Sequence, residues 1–269
     1  MFQEPLARLQ PGSSTREVQP GEMLADLTSL SVWFAGTGIV AAFEGKSTQG
    51  LCDSFWCDFF YNTIMRLSFE KELEPKKHSL LSTAFVKESK PKGRISFNDQ
   101  GLLLAKSFAL GLVAEGEAIG YQSLAGLKDG RFYGLEVNKL TPFVLKLFAA
   151  WKNIELSAAE FPFRIPDAYQ AVLDNLTGTA DEIRAPIVSA CDFHLSRSKE
   201  HTDNETYEFG TPVDAIYPAE ILFVLRIRQL LGLSNPEVEH PLLNSPLGKL
   251  PESACSIPPA LMPVRDRLR

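Results

Sequence analysis

The chain has 269 residues, 45% of them hydrophobic and 22% charged, and its 27 Lys and Arg against 33 Asp and Glu leave a net charge of −6. That apolar fraction excludes a wholly disordered chain, and the composition lacks the bias of collagen, a simple coiled coil or a disulfide knot. The acid balance argues against a general nucleic-acid binder, because a phosphate backbone would be repelled.

Residues 1–20 hold three prolines and a Gly-Ser-Ser-Thr run and read as an irregular arm before a single helical domain over 21–269, with a sub-division near 75–95 as the alternative. From Glu22 to Phe43 the spacing of Leu24, Leu27, Leu30, Phe34 and Ile39 predicts a helix. The 17 residues between Asp26 and Glu44 carry no charge, the short end of a membrane span. Their hydroxyl and glycine content, the lack of a basic flank and the polar N-terminus point instead to a buried core helix, with no membrane partner and a cytoplasmic location. A second helix over about Thr48–Leu73 closes a hairpin across Gly45.

Residues 75–94 carry six Lys or Arg against Glu88 and read as an exposed basic connection with a short helix at Leu80–Val86. Ser96 or Asn98 can cap a long helix to Gln122, in which Gly116 and Gly120 mark close packing. Further helices are predicted over Glu136–Ile154, Asp167–Leu176 and, behind the capping box Thr179–Glu182, on to Ser198. Pro218–Leu231 is apolar nearly all round and predicts a central helix, stopped by Gly232. Seven prolines in the remaining residues predict a wrapping tail. The fold class expected is all-α: an irregular multi-helix bundle with a buried C-terminal helix.

No complete catalytic motif is present. Gly36-Thr-Gly38 lacks the third glycine and the preceding strand of a dinucleotide fingerprint. Cys191 and His194 share a helix face with His201 two turns on, but a tetrahedral site needs a fourth ligand, so no metal and no cofactor are expected. Cys52, Cys57, Cys191 and Cys255 read as buried free thiols, since a core of this size needs no staple. Residues 200–220 are the most suggestive segment: six carboxylates face no Lys or Arg, with Tyr207 and Phe209 interleaved. Such a surface steers a basic protein partner. Asp203, Glu205, Tyr207, Glu208 and Asp214 are the candidate partner-facing residues, while Arg226 and Arg228 are expected to pair with Glu220 or to cover the central helix.

Residues 201–251 resemble helical immunity proteins that bacteria encode beside toxins of contact-dependent or type VI secretion systems. The resemblance rests on Glu220, Arg226, Arg228, the Gly232-Leu233 stop, and the His240-Pro241-Leu242 and Pro246-Leu247-Gly248 turns. It implies a cytoplasmic, non-enzymatic antitoxin that occludes the active site of a cognate toxin with a basic face. The competing expectations are a metal-dependent or carboxylate-based hydrolase on a helical bundle, and a non-catalytic adaptor that forms homo-oligomers.

Overall fold

Apolar periodicity along the chain is realised almost entirely as helix. A computed structural model describes residues 20–80, 95–202 and 205–267, where eleven α-helices accompany two strands of two residues each; the fold is all-α. The irregular arm expected at the N-terminus, the short helix expected around residues 80–86 and the candidate Asp203 fall outside the described residues, save Pro20 and Leu80, which are helical.

Helices α1 (Pro20–Phe43) and α2 (Gln49–Leu80) form the expected hairpin, turning at Gly45 with φ 71°. They cross where two glycines meet: a Cβ on Gly38 would lie 2.6 Å from the Leu51 nitrogen, and one on Gly50 would lie 2.7 Å from the Gly38 Cα. Helix α2 continues past Pro75 rather than ending before it; a helix can carry a proline by giving up one hydrogen bond and bending. The buried-core reading of α1 is corrected. Its Leu27 and Leu30 are fully buried, but Val32, Val40 and Phe43 on the opposite side are 69%, 58% and 58% exposed. The helix lies at the edge of the molecule because only one of its faces meets a described neighbour.

Strand β1 (Ile95–Ser96) pairs in parallel with β2 (Phe132–Tyr133). Ser96 then caps α3 (Phe97–Ala109), its hydroxyl accepting from the Asp99 N–H at 3.3 Å. The long helix expected to Gln122 is instead two. Gly111 takes φ 78° and the chain folds back into α4 (Val113–Lys128). The fold-back lays Gly116 on the Phe108 ring and Gly120 on the Phe148 ring, where a Cβ would approach to 2.5 and 2.4 Å. Helix α5 (Leu140–Lys152) ends on left-handed Asn153 and supplies Phe148.

After α6 (Asp167–Asp174), the capping box opens α7 (Ala180–Ser196): Thr179 N–H donates to Glu182 at 2.7 Å and Glu182 N–H donates to Thr179 at 3.3 Å. Short α8 (Pro212–Ile216) leads into α9 (Ala219–Leu230), the expected central helix, which packs on α3, α5 and α7. Phe223 of α9 stacks on Phe108 with ring centres 4.3 Å apart. The tail passes through α10 (Pro241–Asn244), a 3₁₀ turn (Pro259–Leu261) and α11 (Met262–Arg267). One continuous cluster of buried apolar side chains runs from Met23 to Val264.

The tail is held covalently as well as by packing. Cys52 and Cys255 form a disulfide across 203 residues, which corrects the free-thiol reading for these two; Cys57 and Cys191 remain free and buried. Arg226 Nη2 donates to the Pro251 carbonyl at 3.1 Å and Arg184 Nε to that of Glu237 at 3.1 Å. Arg226 and Arg228 therefore do not pair with Glu220. Fully buried Arg228 instead donates to three carbonyls, Leu176 and Ser234 at 2.6 Å and Gly178 at 3.0 Å.

Candidate functional site

Residues 205–208 of the acidic segment gather around Arg197, at the C-terminal end of α7. Its Nε donates to Glu208 Oε2 at 2.6 Å, Nη1 to Glu205 and Nη2 to the Thr206 carbonyl at 2.5 Å. The guanidinium also lies 4.5 Å from the centre of the Tyr207 ring, and the Tyr207 hydroxyl donates to Glu205 Oε2 at 3.0 Å. Hydrogen bonds from Arg197 and Tyr207 hold the Glu205 carboxyl below its ordinary range. Glu205 is thus exposed and Tyr207 half-buried, both held in one arrangement.

Glu208 and Asp214 do not. Glu208 is buried, with Oε1 accepting from the Lys139 N–H at 2.9 Å. Asp214 is buried too, 2.9 Å from Lys106 Nζ and accepting from the Thr211 hydroxyl at 2.6 Å. These carboxylates are internal counter-ions rather than open surface, because the cations that neutralise them come from α7 and α3, outside the segment whose charges the sequence reading counted. Burial works against the charge on Lys106, but Asp214 and Asp58 outweigh it and raise its pKa.

Glu220, at the start of α9, is fully buried. His194 Nδ1 lies 2.8 Å from Glu220 Oε1, the Tyr169 hydroxyl donates to the same oxygen at 3.4 Å, and His194 Nε2 lies 3.1 Å from the Ala215 carbonyl. A carbonyl only accepts, so Nε2 carries its hydrogen and one proton is shared between Nδ1 and the carboxyl. Burial opposes protonation of His194, but the Glu220 carboxylate prevails and raises its pKa. The imidazole stacks on Phe209 with centres 3.8 Å apart. Both of its nitrogens are therefore committed and the ring is buried, whereas His201 is exposed. His201 Nδ1 accepts from the Tyr207 N–H at 3.1 Å. Among the described residues no three metal-ligating side chains cluster.

Beside the Arg197 loop lies an open groove of about 590 Å³. One wall is Asn138 and Lys139, the other is Phe163 and Arg164, and Phe193 of α7 is also part of the lining. A hydrogen-bond chain joins the groove to the acidic loop: Asn138 Nδ2 donates to Asn98 at 2.6 Å, and Asn98 Nδ2 donates to the Glu208 carbonyl at 3.0 Å. Phe163 is fixed from behind by stacking on Phe97 at 5.4 Å. The site joins Tyr207, the carboxylates Glu205, Glu136 and Asp167, the cations Lys139 and Arg164, and the phenyl rings Phe163 and Phe193, a set suited to recognising a protein surface.

No known family, curated protein or solved structure matches this chain. Sequence reasoning missed Arg197 and the groove. The available signal for Arg197 was a lone arginine at a helix end next to a run of unpaired carboxylates. The groove had none, since its walls lie about 25 residues apart in sequence and meet α7 only in the fold.

Proposed function

We propose that the chain is a non-catalytic immunity protein that neutralises a protein toxin by seating it on the Glu205–Tyr207 rim and the adjoining groove. The observation that carries this reading is the Arg197 clamp, which presents Tyr207 and Glu205 in a fixed arrangement beside an open groove with aromatic lining. A tyrosine ordered before binding loses little side-chain entropy on association, and tyrosine is among the commonest anchors of protein interfaces. Exposed Glu200 and Glu205 and the net charge of −6 favour approach of a basic face. The Cys52–Cys255 bond supports siting the complex where thiols oxidise rather than in a reducing cytosol.

The test is co-expression with each protein encoded beside this chain's own gene, as candidate toxins. The expected result is rescue of growth and an equimolar complex that weakens with salt. Tyr207→Ala combined with Glu200→Lys should weaken that complex at least about tenfold, the loss of one interface anchor, while the melting temperature holds. Undiminished affinity in the double variant, or no complex with the wild type, overturns the reading.

A further inference from the structure

Helix α1 presents outward a straight stripe with the helical repeat: Ala25, Ser29, Val32, Gly36, Val40 and Phe43, all exposed. No exposed charged residue interrupts it between Glu22 and Glu44; the one acid in that interval, Asp26, is buried. The hydroxyls along this side turn their hydrogens inward, Thr28 to the Leu24 carbonyl, Ser29 to that of Ala25 and Thr37 to that of Trp33, each at 3.0 Å. A surface whose donors are already satisfied by its own backbone loses little when water leaves.

Gly36 is the decisive residue. Gly38 and Gly50 are explained within the chain by the close α1–α2 crossing, but a Cβ on Gly36 would meet nothing within 4 Å. A glycine inside an exposed helix weakens it relative to alanine, and no contact among the described residues requires this one. An approaching helix would.

We infer that the α1 stripe is the self-association surface of this protein, pairing antiparallel with α1 of a second copy about a two-fold axis near the level of residue 34. The distribution of sizes and charges along the stripe selects that occupant. In an antiparallel pair, residues equally far from the axis meet, so Val32 faces Gly36 and Phe43 faces Ala25, large against small at each step. Glu22 at one end then faces Lys46 in the turn at the other, both exposed, with Lys46 already paired to its own Glu44 at 2.6 Å and able to bridge the two carboxylates. A parallel pair would set Phe43 on Phe43 and Glu22 on Glu22, leaving a void at Gly36. A lipid surface is a poorer match, because the described ends of the stripe carry Glu22 and Glu44 against the single cation Lys46, where an anionic bilayer wants several cations. One helix face a copy is less than a standard interface, so the dimer is expected at a Kd on the order of 10 µM or weaker.

Sedimentation equilibrium of the full chain tests this over a range from about 5 to 500 µM, chosen to bracket that Kd. A reversible monomer–dimer equilibrium is expected. Val32→Asp and Gly36→Leu should each weaken it at least about tenfold with the circular-dichroism melt retained, the scale of losing one buried seam contact. Glu22→Lys should weaken it and Glu22→Lys with Lys46→Glu should restore it, a swap that only the antiparallel register rescues. A wild type that stays monomeric throughout overturns the proposal, as does a dimer indifferent to both seam variants or to the charge swap. Sedimentation with vesicles of phosphatidylcholine and phosphatidylglycerol, in place of self-association, would assign the stripe to a membrane and overturn it equally.

Discussion

Helices α1 and α9 invert what their compositions suggest. Helix α1 has 17 consecutive residues without a charge and lies at the edge, with Val32, Val40 and Phe43 open to solvent. Helix α9 carries Glu220, Arg226 and Arg228 within twelve residues and lies at the centre, with Glu220 and Arg228 fully buried. Apolar content does not rank helices by depth. Depth follows from whether every face finds a neighbour, and α9 does because its charges find fixed partners: three carbonyls for Arg228, a histidine and a tyrosine for Glu220. A buried charge that keeps its partners is tolerated, whereas one that loses them is expensive.

The contrast can be broken most severely at α9. Arg228→Ala removes the guanidinium from three buried carbonyls and leaves a cavity, and it should cost about 3–5 kcal/mol in urea unfolding. Arg228→Lys should recover little, because a point cation cannot span three acceptors. A loss under about 1 kcal/mol for the alanine variant would contradict the account of α9. Reduction of Cys52–Cys255, or Cys255→Ser, should cost about 2–4 kcal/mol by releasing a long closed loop, read as a lower melting temperature in dithiothreitol.

A pH titration sharpens the same comparison. The folded pKa of His194 lies above its ordinary 6.5, so its stabilising contribution is complete below pH 6.5 and disappears as pH rises through the folded value. Melting temperature should therefore fall on going from pH 6 upward, and His194→Gln should flatten that part of the profile.

The smallest effects are expected on α1. Gly36→Ala should stabilise the monomer by about 0.5–1 kcal/mol, since nothing crowds the new methyl. Val32→Asp should leave monomer stability within about 0.5 kcal/mol, as surface changes do. Destabilisation by either beyond that range would show that the stripe is covered within a single chain.

Local signals account for much of the fold. The capping box at Thr179 and Glu182, the Ser96 cap, the Gly45 and Gly232 stops and the apolar stripe of the hairpin were all legible, because each is settled by residues within a few positions of one another. The single helix expected up to Gln122 failed at Gly111, where left-handed backbone and the pull of Phe148 from a later helix outweighed helix propensity. In the candidate site, exposed Glu205 and half-buried Tyr207 were legible as an acidic and aromatic pair. Glu208 and Asp214 were not legible as counter-ions, since Arg197 precedes the acidic run and Lys106 lies far upstream of it.

By itself the sequence determined the all-α class, the helical hairpin, the central position of α9 and the wrapping tail, because turn residues and apolar periodicity act over a few positions. Which charges are buried, which cysteines pair and which apolar helix is left open were decided only by tertiary structure. Each depends on what a distant segment brings within a few ångströms: Lys106 to Asp214, His194 to Glu220, Cys255 to Cys52, and for the outer face of α1, no described neighbour.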